Sequence, residues 1–219
     1  MYKYTEKQFA SQFFNMGRLR IGTLHNFRRT EHKRGIVDVD EGKKSVSHHI
    51  DVLHIADSQA PENDGNIDFR SLDAFQAVSL NNGSNILFKN VRLTKKIESQ
   101  DFFVYSTSAS RSRKTMREFE GADTCIEIFD PDNFYKLLTK PLNSITPVRF
   151  LGVKAVTYKN RSEEWNGVDS GTHPSLIKST DYIPQFEVRA IWSPLVESTI
   201  EPVITAHCRL GEFCREIHL

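Results

Sequence analysis

Apolar and polar residues alternate along the segment Thr180–Trp192. Every second position after Pro184 is apolar: Phe186, Val188, Ala190 and Trp192. The positions between them carry Gln185, Glu187 and Arg189. A period of two predicts a half-buried strand, so we expect Gln185 and Glu187 to point the same way from one rigid element.

The start of the chain combines a strand pattern with a helical one. Tyr2–Thr5 is predicted to be a short strand, and Thr5 with Gln8 fits a capping box that begins a helix. Apolar residues then recur at helical spacing up to Gly17, a typical C-terminal cap: Phe9, Ala10, Phe13, Phe14 and Met16. Arg18–Ile21 is predicted to be a second strand, with both arginines on the face opposite its apolar residues.

The remaining patterns predict many strands and a few short helices. Strands are expected at Ser45–Ile55, Asn85–Leu93, Asp101–Ser108, Thr124–Phe129, Val148–Lys159 and Pro202–Leu210. Helices are expected at Ser112–Glu120 and from the Asp130 cap through Pro131 to about Lys140. Loops are expected at His25–Lys44, Asp57–Asn66 and Arg161–Ser179, and Ser71–Leu80 fits either a strand or a helix. Together these patterns predict a mixed α+β fold in a single domain over residues 1–219.

Composition and charge are those of an ordinary soluble protein. The 219 residues are 38% hydrophobic and 26% charged, and the net charge of +1 gives no global field toward nucleic acid or acidic lipid. The cysteines, Cys125, Cys208 and Cys214, form no Cys-x-x-Cys pair, which argues against structural zinc and a disulfide framework. There is no apolar segment at the N-terminus and no run of membrane-spanning length, so we expect a cytoplasmic protein without a membrane partner.

Gln185 and Glu187 place an amide and a carboxylate on one predicted strand. A carboxylate can stabilise a developing positive charge, and an amide can orient an incoming acceptor. The alternative is an exposed strand face that carries polar residues and no chemistry. Ser106, Thr107 and Ser108 finish another predicted strand, and the alternative there is simply the end of an edge strand.

Three features occur in chain order: an early arginine-bearing strand, a Ser-Thr-Ser strand and a Gln-x-Glu strand. Together they resemble the R-S-E clade of ADP-ribosyltransferases, in which a split β-core binds NAD in a cleft. The opening Tyr2-Lys3-Tyr4-Thr5, followed by a helix and Gly17-Arg18-Leu19-Arg20, is also similar to bacterial toxins of the DarT and CmdT type. The resemblance covers short patches across most of the chain, and it implies a single-domain split β-core with short flanking helices.

The resemblance implies that NAD is the substrate. Glu187 would stabilise the oxocarbenium-like ribose that forms when nicotinamide leaves, and Gln185 would orient the acceptor. The NAD-binding residues would come from the early strands, the loop after them and the Ser-Thr-Ser strand: Tyr4, Thr5, Arg18, Arg20, Phe27, Arg28, Arg29, Ser106, Thr107 and Ser108. Lys3 stands where the family has its first-strand arginine, and which of the four arginines in that set binds the pyrophosphate stays open.

Two groups of basic residues favour a nucleic acid acceptor, with RNA before protein. One is the loop Arg28–Arg34, which the acids after it could instead balance as a solvated surface. The other follows the Ser-Thr-Ser strand: Arg111, Arg113, Lys114 and Arg117. The expected protein is a toxin or phage-defence effector, for which an antitoxin is a candidate partner. The alternatives are an NAD glycohydrolase and a nucleic-acid-binding module without chemistry.

Other candidate groups fit structural roles better, and no metal site is predicted. His48 and His49 are adjacent on a predicted strand, so they point to opposite faces and are poorly placed to bind one metal ion. Glu163 and Glu164 are rival catalytic acids, but their predicted loop gives them no rigid support. Cys125 is expected to be buried in a strand and not to act as a nucleophile.

Overall fold

The computed structural model describes residues 1–29, 35–55, 65–78 and 85–219. In chain order the strands are β1 (Tyr2–Thr5), β2 (Arg18–Thr23), β3 (Lys43–Ile55), β4 (Ile86–Glu98), β5 (Phe103–Ser108), β6 (Thr124–Ile128), β7 (Val148–Ala155), β8 (Thr157–Tyr158), β9 (Ser162–Glu164), β10 (Ile177–Lys178), β11 (Glu187–Pro194), β12 (Val203–Ala206) and β13 (Cys214–Ile217). The helices are α1 (Lys7–Met16), α2 (Ile67–Ala74), α3 (Arg113–Met116) and α4 (Pro131–Ile145), and 3-10 turns cover Asn26–Arg28, Pro174–Leu176, Thr180–Gln185 and Leu210–Phe213. This content confirms the mixed α+β class.

Two units divide the chain. Unit 1 comprises Met1–Gly42, Gln100–Lys159 and Ser175–Leu219, and unit 2 comprises Lys43–Ser99 and Asn160–Pro174. Unit 1 contains a large antiparallel sheet, and unit 2 contains the three-stranded sheet β4-β3-β9. The single domain over residues 1–219 stays a prediction.

β5 is the central strand of the unit 1 sheet. β11 pairs with it along the full length of Phe103–Ser108. Two strands share the opposite edge of β5: β2 pairs at Phe103 and Val104, and β1 pairs at Ser108. β1 and β2 therefore diverge along β5, and the sheet is split beside Tyr105–Thr107. β12 continues the sheet beyond β2, β6 and β13 continue it beyond β1, and β7 continues it beyond β11.

Both faces of β5 are buried, because alternate residues pack into different apolar clusters. Phe103 and Tyr105 belong to the larger cluster, in which the Tyr105 ring lies 6.0 Å from the ring of Phe134 in α4. Val104 lies on the other face, in a smaller cluster with Ile191 of β11. A strand that is covered on both faces carries a continuous apolar run, as β5 does in its first half.

The predicted strand Thr180–Trp192 is wrong in its first half. Thr180–Gln185 forms a 3-10 turn, Phe186 has left-handed backbone angles with φ 47°, and only the residues after it form β11. Gln185 and Glu187 therefore do not share one face of one strand.

Local chemistry explains this difference. The Ser179 hydroxyl caps the turn by accepting a hydrogen bond from the Asp181 amide, and Pro184 has no amide proton to give to a strand ladder. The predicted polar face of β11 is also buried, since Glu187 is 6% exposed and Arg189 is 0% exposed. The alternation in this segment therefore separates an apolar core face from a buried charged face.

The N-terminal cap of α1 is one residue later in the chain than predicted. Thr5 pairs with Thr124 as the last residue of β1, so Glu6 takes the N-terminal cap position, and Gln8 Nε2 donates to Glu6 Oε2 at 2.8 Å. The predicted C-terminal cap is confirmed, because Gly17 has φ 64° and its amide donates to the Phe13 carbonyl. A Cβ on Gly17 would overlap the backbone of the segment that follows β12, so only glycine fits there.

α3 and α4 differ from their predicted lengths in opposite directions. α3 covers only part of the predicted helix Ser112–Glu120, after Ser112 caps it by accepting from the Thr115 amide. α4 continues past Lys140 and through Pro141 to its end. Burial of apolar α4 side chains such as Leu142 offsets the cost of an internal proline.

The predicted loop Arg161–Ser179 contains two short strands, so that prediction is wrong in part. β9 pairs in parallel with β3 in unit 2, and β10 pairs in parallel with β8 in unit 1. Glu163 and Glu164 therefore lie on a strand and not in an unsupported loop. β13 is a further strand that the sequence patterns do not predict.

Unit 2 packs α2 against its sheet. The undecided segment Ser71–Leu80 contributes the second half of α2, which Asn66 caps by accepting from two backbone amides. Leu72 packs with Ile50 and Leu53 of β3. Residues 30–34 of the predicted basic loop, residues 57–64 of the next loop and residues 79–80 lie outside the described residues. No helix in the described ranges combines the length and the apolar character that crossing a membrane requires.

Candidate active site

A cavity of about 500 Å³ opens in unit 1 where β1 and β2 diverge from β5. The residues of these strands that line it are Lys3, Tyr4, Thr5, Arg18, Leu19, Arg20, Gly22, Val104, Tyr105, Ser106 and Thr107. Lys178, Gln185 and Glu187 line the same cavity. Its volume falls within the range of small-molecule and cofactor sites, roughly 300–1,000 Å³.

Glu187 is the first residue of β11, and its carboxylate accepts hydrogen bonds from three side chains. Oε1 accepts from Ser106 Oγ and from Arg189 Nε, each at 2.7 Å. Oε2 accepts from Lys178 Nζ at 2.8 Å and from Arg189 Nη2 at 3.3 Å. The backbone amide of Glu187 donates to the Tyr158 hydroxyl at 2.7 Å. Three side chains therefore hold the carboxylate in one orientation.

Arg189 connects Glu187 to a second buried carboxylate. Its Nη1 and Nη2 donate to Oε1 and Oε2 of Glu41, both at 2.8 Å. Nη1 also donates to the Ser175 carbonyl at 2.6 Å, and Glu41 is 1% exposed. This bidentate geometry suits a guanidinium and fixes the segment Gly35–Gly42 to β11.

Gln185 meets Glu187 through a lysine and not through a shared strand face. Its Oε1 accepts from Lys178 Nζ at 2.9 Å, and its Nε2 donates to the Gly35 carbonyl at 2.9 Å. The backbone carbonyl of Gln185 accepts a hydrogen bond from Ser108 Oγ at 2.7 Å. A contact between the Gln185 amide and an acceptor would replace one of these hydrogen bonds, and acceptor orientation by Gln185 stays a prediction.

Burial and charge act in opposite directions on Glu187. Burial raises the pKa of the carboxyl group, but the positive charges and hydrogen bonds of Arg189 and Lys178 more than offset this and hold the pKa well below its usual value. Burial likewise lowers the pKa of Arg189, whereas Glu187 and Glu41 raise it well above normal. Glu187 is therefore an anion and Arg189 a cation at neutral pH.

Lys3 occupies the split between β1 and β5. Its Nζ donates to the Ser106 carbonyl at 2.9 Å and lies 4.9 Å from the centre of the Tyr105 ring. Burial lowers the pKa of Lys3 to about 8, with Glu187 acting to raise it and Arg20 to lower it. Lys3 thus supplies a positive charge to the cavity wall that is lost in mildly alkaline solution.

The Ser-Thr-Ser strand supports the Gln-x-Glu segment through its hydroxyl groups. Ser106 binds the carboxylate of Glu187, Thr107 Oγ1 donates to the Val188 carbonyl at 3.2 Å, and Ser108 binds the backbone at Gln185. Ser106 and Thr107 line the cavity, whereas Ser108 is 1% exposed and lies beneath it.

Aromatic rings form part of the cavity wall. Tyr4 stacks on Phe119 with ring centres 5.8 Å apart and planes 22° apart, and both residues line the cavity. The Tyr4 hydroxyl donates to the Ser110 carbonyl at 2.6 Å, which fixes the ring. Phe27 and Thr5 also line the cavity. Phe119 was not among the residues that the sequence indicates.

The four candidate pyrophosphate arginines separate into two pairs. Arg18 and Arg20 line the cavity, and Arg20 Nη2 donates to Asn26 Oδ1 at 2.8 Å. Arg28 and Arg29 are absent from the described lining. Arg28 Nε donates to the backbone of the Glu41 segment, and Arg29 forms an exposed bidentate pair with Glu201.

The basic residues predicted to bind the acceptor are all exposed and are not part of the described cavity lining: Arg111, Arg113, Lys114 and Arg117. Arg113 Nε donates to the carbonyl of Leu219. Phe119 and Glu120, which come shortly after the end of α3 at Met116, do line the cavity. The exposed basic residues are therefore followed in the chain by residues that line the cavity.

The other candidate catalytic and metal-binding residues have different partners. Glu163 pairs with Lys44 and Glu164 pairs with Arg92, both within unit 2. His48 and His49 bind different carboxylates, and within the described ranges no three potential ligands are grouped to hold a metal ion. Burial raises the pKa of the Cys125 thiol to about 11, so it is protonated at neutral pH.

No protein-family model matches this chain, and no curated protein or solved structure matches it. The resemblance to ADP-ribosyltransferases therefore stays a prediction from the short sequence motifs.

Sequence patterns did not indicate two of the charged residues around Glu187. Lys178 follows the apolar pair Leu176 and Ile177 in a predicted loop, and Glu41 lies among the acids after the basic loop. The Glu41 partner, Arg189, is 148 residues away, so no local spacing connects them. The one available signal was Arg189 itself, since a charge in a strand that becomes buried requires a partner.

Proposed function

We propose that this chain is an NAD-dependent ADP-ribosyltransferase that acts in the cytoplasm as a toxin or phage-defence effector. The observation that carries the proposal is the carboxylate of Glu187. It is ionised, it is held by Ser106, Lys178 and Arg189, and it lines a cavity in the split of the sheet. A fixed anion beside a substrate cavity suits a reaction in which positive charge develops on the substrate.

The cavity carries groups that suit the pyrophosphate and a planar ring of NAD. Arg18 and Arg20 offer guanidinium groups for the pyrophosphate, and Lys3 adds an ammonium group. The stacked rings of Tyr4 and Phe119 offer an apolar surface for a planar ring of the substrate. These residues support the proposal of NAD as the substrate through contacts to its pyrophosphate and to one of its planar rings.

The reaction follows from the position of Glu187. The bond between the ribose carbon and the nicotinamide nitrogen breaks, and its electron pair leaves with nicotinamide. The ribose becomes an oxocarbenium-like cation, which Glu187 stabilises. A nucleophile of the acceptor then forms a bond to the same carbon and loses its proton to solvent.

RNA is the favoured acceptor because the exposed basic residues around α3 precede the cavity residues Phe119 and Glu120 in one continuous segment. Arg113 and Lys114 would bind phosphates without regard to sequence, and this type of contact weakens with salt. A protein acceptor remains the alternative outcome of the test below.

NAD hydrolysis is the second candidate function, and one observation favours it. Both ends of the Gln185 amide are hydrogen-bonded within the protein, to Lys178 and to the Gly35 carbonyl, so one of these bonds would have to break before the amide could orient an acceptor. Water needs no such orienting group from the wall when it attacks a reactive ribosyl cation.

Incubation of the protein with NAD labelled on the adenylate part, in the presence of total RNA and total protein, tests these functions together. We expect label on RNA. Label on protein would change the acceptor but keep the transferase, and free ADP-ribose alone would indicate a glycohydrolase. Intact NAD in all conditions would contradict both enzymatic functions and leave a binding module.

A further inference from the structure

Lys178 stands between the two residues of the Gln-x-Glu motif. Its Nζ lies 2.9 Å from Gln185 Oε1 and 2.8 Å from Glu187 Oε2, and it is 4.5 Å from the centre of the Tyr182 ring. The residue is 4% exposed and lines the cavity. A lysine is rarely buried to this extent unless its charge is paired.

The two cations that bind Glu187, Arg189 and Lys178, differ in their other contacts and in whether they line the cavity. Arg189 is shared between two carboxylates, because Nη1 and Nη2 bind Glu41 at 2.8 Å while Nε binds Glu187 at 2.7 Å and Nη2 also reaches Glu187 Oε2 at 3.3 Å. Neither Arg189 nor Glu41 is among the described residues that line the cavity, whereas Lys178 and Glu187 both are. Lys178 is therefore the cation on the cavity side of the catalytic carboxylate.

We propose that Lys178 is a positioning residue that keeps the Glu187 carboxylate ionised and oriented toward the ribosyl group. The inference rests on the proposed function. A carboxylate that is taken out of water is stable as an anion only when cations and donors surround it. A charge that is fixed before the reaction needs no reorganisation when the ribosyl cation forms.

Every group that faces Glu187 contributes to this balance. The donors to the carboxylate are Ser106, Lys178 and Arg189, and the Tyr158 hydroxyl accepts a hydrogen bond from the backbone amide of Glu187. Lys3, which binds the Ser106 carbonyl, interacts with Glu187 through its charge. Without the charge of Lys178, the remaining buried cation is divided between two carboxylates. Burial, which favours the protonated form, then has less opposition, so Glu187 takes up a proton at a higher pH.

The test compares Lys178→Gln and Lys178→Arg with the wild-type protein. Glutamine keeps a hydrogen-bond donor for Glu187 and removes the charge, whereas arginine keeps the charge. Lys136→Gln, at an exposed position on α4, is the matched control. The initial rate of NAD consumption is measured from about pH 3.5 to about pH 8, and the rate of each variant is divided by the wild-type rate at the same pH. The range extends into acid because the pKa of Glu187 starts well below its usual value, and removal of an opposite charge raises a carboxyl pKa by about 1–3.

We expect the rate of Lys178→Gln relative to wild type to fall progressively toward the acid end of this range, because Glu187 takes up a proton at a higher pH once the charge of Lys178 is removed. Lys178→Arg and Lys136→Gln should keep a constant ratio to wild type. A loss in Lys178→Gln that is the same at every pH would indicate a purely structural role and would overturn the inference, as would full activity at every pH.

A second measurement does not depend on activity. The urea midpoint is compared for wild type, Lys178→Gln, Glu187→Gln and the double variant at neutral pH. If Lys178 acts through Glu187, most of the downward shift caused by Lys178→Gln should disappear in the Glu187→Gln background. Shifts that simply add would overturn the inference. A wild-type protein that consumes no NAD but shows this coupling would contradict the proposed function and not the pairing.

Discussion

Unit 1 and unit 2 each contain a buried lysine paired with a glutamate. In unit 1, Lys178 Nζ lies 2.8 Å from Glu187 Oε2, and the side chains are 5% and 6% exposed. In unit 2, Lys44 Nζ lies 2.5 Å from Glu163 Oε1, and the side chains are 1% and 23% exposed. Both glutamates lie on strands, and both are candidate catalytic acids from sequence alone.

The surroundings separate the two pairs. Glu187 also accepts from Ser106 and Arg189 and lines the cavity of about 500 Å³. Lys44 donates in addition to a backbone carbonyl of unit 2, and neither Lys44 nor Glu163 belongs to the described lining of that cavity. A buried ion pair is weak evidence for function, because desolvation cancels much of its attraction. The position of Lys178 and Glu187 in the lining of a cavity is what distinguishes the pair in unit 1.

The largest expected effect is that of Glu187→Gln. The change keeps the size of the side chain and removes the charge that faces the ribosyl cation, so we expect NAD turnover to fall by about 10²-fold or more. The measurement is the initial rate on protein whose folding has been checked by circular dichroism. Normal turnover by a folded Glu187→Gln protein would remove Glu187 from the mechanism and return Glu163 and Glu164 to consideration.

The next effect concerns the positive edge of the unit 1 cavity. Arg20→Ala removes a guanidinium that lines the cavity, and we expect NAD binding to weaken by about 1.5–3 kcal/mol, the range for hydrogen bonds to charged groups. Arg29→Ala is the matched control, because Arg29 is outside the described lining and pairs with Glu201. Calorimetric titration with NAD compares them, and equal affinity in both variants would place the pyrophosphate away from Arg20.

A smaller effect should depend on pH. Because the pKa of Lys3 is lowered to about 8, Lys3 carries its charge below that pH and loses it above. If the ammonium group contributes to NAD binding, the dissociation constant rises through this pH by up to about tenfold. Lys3→Met should bind more weakly at neutral pH and show no such rise. The same pH dependence in Lys3→Met and wild type would assign it to another group.

The smallest expected effect completes the comparison. Glu163→Gln makes in unit 2 the chemical change that Glu187→Gln makes in unit 1, yet turnover should stay within about twofold of wild type, while the unfolding free energy falls because Lys44 loses its charged partner. Rate assays and urea titrations on the same preparation measure both quantities. A rate loss as large as that of Glu187→Gln would show that a buried lysine and glutamate suffice to identify a catalytic acid.

Much of the fold could be predicted because its signals are local. The cap at Gly17, the Asp130–Pro131 start of α4 and the apolar run of β5 each depend on residues that are neighbours in the chain. The segment before β11 could not be predicted from its alternation. Its first half follows the Ser179 cap and Pro184 into a 3-10 turn, and a period of two does not detect a single left-handed residue.

The candidate site could be predicted only in part, because only some of its residues lie in local motifs. Ser106 and Glu187 lie in motifs that a linear pattern can find, and the structure joins their side chains. Lys178 and Glu41 gain their roles from tertiary contacts alone. Gln185 reaches the site because the left-handed Phe186 turns the chain, and the turn brings its amide to Lys178.

The Arg189–Glu41 pair also bears on how the chain is synthesised and folds. The two residues are 148 positions apart, and Ser106 and Glu187 are 81 apart. A buried charge left without its partner costs about 3–5 kcal/mol, so β11 gains little by docking before the Gly35–Gly42 segment is in place. During synthesis, Glu41 cannot form this ion pair until Arg189 has left the ribosome. We therefore expect the part of the cavity wall around Glu187 to form only after Arg189 has been synthesised, which makes it a contact of high sequence separation that forms late.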